Sequence, residues 1–242
     1  MDAIAERTAT VERMEAATMM FITWIMAAAL AMAGTQNPPA ASQRFDYLVR
    51  ADFFAGAAGD EARLAHVMEV CEQVLEQNPN HPEAHVWHGA GLLVRAGGAF
   101  RKGDMAAGGP LFDRGLKEMN EALALAPDNP GVLIPRGAVL FEATRNMPPE
   151  MARPLVQSAV QNYERALEIQ APAFAALGDH AKGELLFGLA EGWSRLGETE
   201  KARRYFERVI ADAPSSGQTP KARTWIATGS IPKGSGPWMR FT

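Results

Sequence analysis

The stretch Gly183–Ser216, GELLFGLAEGWSRLGETEKARRYFERVIADAPSS, decides the fold. Its apolar residues recur at helical spacing on both sides of the turn pair Gly197-Glu198, so it reads as two helices folded back on each other. Small Ala190 and Ala202 let the helices approach closely, while Leu189, Trp193 and Phe206 fill the space between them. Pro214 stops the second helix.

In full, the pattern is Leu186-x2-Leu189-Ala190-x2-Trp193, Ala202-x3-Phe206, Pro214. It resembles the tetratricopeptide repeat (TPR) of roughly 34 residues, with Leu in place of the usual first Trp. The same spacing laid upstream gives a first repeat through Ala51, Phe54, Ala55, Ala58, Val67, Cys71 and Pro79. Cys71 falls there in an aromatic slot, which makes it a buried small hydrophobe in preference to a reactive thiol. A second repeat runs through His85, His88, Gly89, Leu92, Gly115, Met119 and Pro127. Gly89 to Pro127 spans 38 positions against 24 from Ala190 to Pro214, so this is an elongated hairpin with a loop, its turn at Gly103-Asp104 and Gly108-Gly109-Pro110 suited to begin the second helix rather than lie inside it. The third runs through Leu133, Arg136, Gly137, Leu140, Ala159, Tyr163 and Ala166-Leu167, turning at Asn146–Glu150. Its Pro135 is tolerable if the helix starts near Val132. Thr219–Thr228 reads as a helix that caps the last repeat with Trp225 turned inward.

The expected architecture is therefore all-α: a TPR-like helical-hairpin solenoid of about four repeats over residues 45–228, the second and third enlarged, with a C-terminal capping helix. Residues 34–44 read as a linker and 229–242 as a flexible tail. At 242 residues, 47% apolar and 21% charged, the chain has the composition of a folded domain. A net charge of −4 argues against a dedicated nucleic-acid binder, which needs a basic face for phosphates. With one cysteine, no intrachain disulfide can form.

Ala16–Ala33, AATMMFITWIMAAALAMA, is an uncharged run of 18 residues. Three readings stand. Ala31-Met32-Ala33 has the small-x-small form of a signal-peptidase site, making residues 1–33 a cleaved signal. The run is also close to the ~20 residues that cross a bilayer, which makes it an anchor. Thirdly, it could be a buried core helix. The first two place the repeats in the periplasm or tethered facing it; Asp2, Glu6, Glu12 and Glu15 depart from the usual positive leader.

Motifs for catalysis are missing: no G-x-S-x-G elbow, phosphate loop, H-E-x-x-H or C-x-x-C occurs. No enzyme activity and no cofactor are expected. His81, His85 and His88 fall along one helical stripe, which could share a metal ion, although His85 and His88 occupy template slots that face neighbouring helices. They are weak metal candidates beside a structural role.

The resemblance implies that the first helix of each repeat lines a concave groove. By the family's template these positions are Glu83, Val86, Ala90 and Leu93; then Gly131, Ile134, Ala138 and Phe141; then Glu184, Phe187, Glu191 and Ser194. Such a groove is apolar with acidic edges. It lacks the Lys, Arg and Asn set that TPR domains use to clamp a chaperone's terminal carboxylate. A helix or extended apolar peptide with basic flanks fits it, with Phe141 and Phe187 as hot spots, unless the chain's own tail or N-terminal segment covers it. The expected function is a non-enzymatic scaffold binding a protein or peptide partner in a cell-envelope assembly, with a periplasmic small-ligand or metal-binding accessory protein as the alternative.

Overall fold

The structure, a computed structural model, describes residues 44–231; the apolar run 16–33 and most of the tail lie outside them. All described residues belong to the unit of the chain that begins at Arg44. Among them there are nine α-helices, one short 3-10 helix and no strand. The helices are α1 Phe45–Ala57, α2 Glu61–Gln77, α3 Pro82–Arg101, α4 Met105–Leu125, α5 Pro130–Ala143, α6 Pro149–Gln170, α7 Asp179–Arg195, α8 Thr199–Asp212 and α9 Thr219–Thr228, with the 3-10 turn Ala171–Ala176 between α6 and α7.

Local chemistry sets the boundaries. Asp60 and Asp104 accept from the backbone N–H three residues on, and Asn129 from Gly131, which satisfies donors that the first turns of α2, α4 and α5 would leave open. Pro82, Pro130 and Pro149 stand at helix starts, where a missing N–H costs nothing. The hairpin turns at Gly103 and Gly197 take φ of 79° and 85°, a left-handed conformation that favours glycine.

Helices pair with their chain neighbours: α1 with α2, α3 with α4, α5 with α6, α7 with α8, and α9 lies on α8. First helices of successive pairs also touch, α1 with α3, α3 with α5 and α5 with α7. The second pair is the longest, 20 and 21 residues against 17 and 14 for α7 and α8. In the third pair the extra length is all in α6, 22 residues to 14 in α5. Where α3 and α4 cross, a Cβ on Gly89 would come 2.7 Å from the carbonyl oxygen of Gly115, and one on Gly115 equally close to that of Gly89. Two backbones therefore meet there with nothing between them.

One hydrophobic cluster runs from α1 to α7, and a second joins Phe187, Phe206 and Trp225 of α7, α8 and α9. Four expectations need correction. Gly108-Gly109-Pro110 does not begin the second helix: Asp104 caps α4 five residues ahead of Gly109, and the helix runs through the triplet. Pro135 lies in the second turn of α5, because Asn129 starts that helix at Pro130 and not near Val132. In α1 it is Phe53, not Phe54, that is fully buried. Trp193 is only partly buried, with the Lys201 ammonium 4.1 Å from its ring centre, whereas Leu186, Leu189 and Phe206 are fully buried.

Candidate functional site

Three helices of the first two pairs leave an open cleft of about 640 Å³ between them. Glu72, Leu75 and Glu76 of α2 form one wall, His85 and His88 of α3 the back, and Arg114, Lys117, Glu118 and Glu121 of α4 the other wall. The spacings of three and four residues on each helix turn these side chains to one side.

At the base lies His88, 2% exposed. Its Nδ1 is hydrogen-bonded to the Glu118 carboxylate, and its Nε2 lies 3.3 Å from Glu72 Oε1. Arg114 Nε donates to the other Glu118 oxygen at 2.9 Å. A doubly protonated ring can donate to both carboxylates; a neutral ring can donate to one only, leaving a lone pair facing an oxygen. Burial by itself would raise the Glu118 acid, but hydrogen bonds and positive charge from His88 and Arg114 hold it below the usual carboxylate range. Beside this pair, burial pushes the Cys71 thiol up to about 12, and the Glu118 and Glu72 charges push the same way. A thiol so placed stays protonated and inert near neutrality, in keeping with its zero exposure.

The two histidines spend their nitrogens on different partners. His85 donates from Nε2 to the carbonyl of Pro79, 2.7 Å away, while its Nδ1 is buried without a hydrogen bond. The carbonyl has no proton to give, so Nε2 carries the hydrogen of that bond. His81 caps α3 through Nδ1, accepting from Ala84 N–H. Among the described residues no group of three or more His, Cys, Asp or Glu could hold a metal ion. The rim is solvated: Glu72 is 58%, Glu121 45% and Lys117 77% exposed at the side chain.

The groove set divides. Val86, Ala90, Leu93, Ala138, Phe141, Phe187 and Glu191 are buried, whereas Glu83, Ile134 and Glu184 are partly exposed. Phe141 stacks on Tyr163 at 5.7 Å with the Arg195 guanidinium over its ring, and Phe187 meets the Phe206 ring edge-on at 5.6 Å. Both rings, expected to serve a partner, are engaged within the chain. Glu191 faces Arg145 at 3.3 Å and burial pushes its carboxyl up. Burial also raises the Glu184 carboxyl, opposed by His180 and by Arg50 of α1. Glu83 is held by Asn129 Nδ2 at 3.1 Å.

Sequence reading reached His85 and His88 but missed Glu72, Glu118 and Arg114. The Arg114/Glu118 pair at i, i+4 was a visible signal; the partners 16 and 30 residues from His88 were not, since nothing in a single sequence pairs residues across helices. Compared with known proteins, the chain matches no family model and no curated sequence.

Proposed function

We propose that this chain is a non-enzymatic helical-hairpin scaffold of the TPR kind that binds a protein or peptide partner through the cleft on its second hairpin. The observation that carries the reading is the cleft itself: solvated Glu72, Glu76 and Glu121 ring Leu75 above a buried His88–Glu118 base. That pattern suits a segment whose Lys or Arg side chains meet the rim while an apolar side chain lies on Leu75. Glu83, Ile134 and Glu184, the partly exposed members of the groove set, lie on α3, α5 and α7 and are not part of the cleft lining. Phe141 and Phe187 are core residues of the later hairpins. Residues 16–33 would carry the scaffold across a membrane or hold it there, which fits a cell-envelope assembly; no described helix is long and apolar enough to span one.

The experiment uses the full chain and fluorescent peptides that alternate Leu with Lys, or Leu with Glu. We expect the Lys peptide to bind and a Glu72→Gln/Glu76→Gln/Glu121→Gln variant of unchanged Tm to lose at least about tenfold in affinity, which corresponds to 1.4 kcal/mol. Because exposed carboxylates mainly steer, added salt should slow association more than it speeds release. Equal binding of the Glu peptide, or an unaffected triple variant, overturns the reading.

A further inference from the structure

Arg136 is a cation without a counter-ion among the described residues. It stands on α5 at the junction with α4 and α6 and is 5% exposed. Its Nη1 donates to Ser158 Oγ at 2.9 Å and its Nη2 to Asn120 Oδ1 at 2.6 Å, both neutral acceptors. Its Nε–H is buried with no acceptor. It makes no ion pair among the described residues, whereas the part-buried Arg145 and Arg195 both have the Glu191 carboxylate acting on them. Burial alone pushes the Arg136 guanidinium down from its usual value, with no carboxylate to hold it up. One turn beyond Ser158 on α6, Asn162 is 3% exposed and its Nδ2 is a second buried donor with no acceptor.

Taking a guanidinium out of water without an opposite charge is among the costliest arrangements in a protein interior. Sequence offers no reason for it: the TPR-like spacing asks only for Gly137 beside Arg136, and a Cβ there would run into the Tyr163 ring at 2.7 Å. A leucine or methionine at position 136 would pack between the helices at no electrostatic cost. We infer that the α4–α5–α6 junction is a binding site for a small monovalent anion of the chloride class, held by Arg136 Nε–H as the charged donor. The occupant must be small because the guanidinium is enclosed by three helices, and monovalent because one cation neutralises it. Such an ion would tie the second and third hairpins together, since Asn120 belongs to α4 and Ser158 to α6.

The test is thermal unfolding of the full chain at constant ionic strength, with chloride replaced stepwise by gluconate, an anion too large for the site. Above its Kd, each tenfold rise in chloride should raise Tm by about 3–5 °C. Arg136→Met should remove that dependence. Should Arg136→Met fail to fold, bromide-soaked crystals of the wild-type chain decide: an anomalous peak within hydrogen-bond distance of Arg136 Nε is expected. The same Tm in chloride and gluconate, an undiminished chloride effect in Arg136→Met, or a water in place of the bromide peak overturns the inference.

Discussion

Glu118 is the residue on which the cleft turns, because it is bonded at once by a buried imidazole and an arginine. Its acid is held below the usual value, so the folded state binds that proton less readily than the unfolded chain does. The sign follows: the stabilisation is complete above the ordinary carboxylate range and is lost as pH falls through the lowered folded value. Urea unfolding between about pH 3 and 6 should show stability dropping with acid, and the drop should be shallower in Glu118→Gln. Glu118→Leu should cost about 1–3 kcal/mol at neutral pH, since it leaves the buried Nδ1 of His88 without its partner. Cys71 supplies a second test at this scale. With its thiol raised to about 12, it should react with a disulfide reagent at pH 8 only as fast as the protein unfolds, and at once in denaturant. Fast labelling of the native chain would contradict the buried position.

At the scale of the element, the pairing of α3 and α4 rests on the glycine contact as much as on side chains. Gly89→Ala would push a methyl against the Gly115 carbonyl, which is backbone and cannot swing aside, so a loss of about 1–3 kcal/mol is expected. Gly109 is the control. It sits inside α4 with nothing within 4 Å of a new Cβ, and Gly109→Ala should stabilise by roughly 0.5–1 kcal/mol through helix propensity. Chemical denaturation of the two variants checks both signs. These elements also show what a sequence reveals. The turns at Gly103 and Gly197 and the inward Trp225 were legible, because local chemistry fixes them, whereas the turn expected over Asn146–Glu150 ends at Pro148, with Pro149 and Glu150 already in α6. The start of α4 was not: Gly108, Gly109 and Pro110 are unfavourable inside a helix, yet Asp104, accepting from Ala107 N–H at 2.9 Å, starts the helix ahead of them. The cleft was half legible, its histidines lying on one stripe while the carboxylate partners of His88 come from two other helices.

For the whole molecule, the consequence of helices that contact mainly their neighbours is that damage should stay local. The C-terminal end shows this best. Trp225 of α9 stacks on Phe206 of α8 at 4.5 Å, and its indole N–H donates to Ser194 Oγ of α7 at 2.9 Å. It thus covers the end of the second cluster, whose members come from α7, α8 and α9, while the His88–Glu118 base belongs to α3 and α4. Trp225→Ala should cost about 3–5 kcal/mol, the range for a buried aromatic, but the loss should fall on the last hairpin. Amide exchange is the measurement that separates local from global loss, because each helix reports its own opening free energy. Protection in α7 and α8 should fall sharply in Trp225→Ala, while α3 and α4, the longest pair and closest in backbone contact, should exchange as in the wild type. A uniform fall across all helices would mean that the chain opens as one cooperative unit, and the partner cleft would then depend on the cap at the far end of the array.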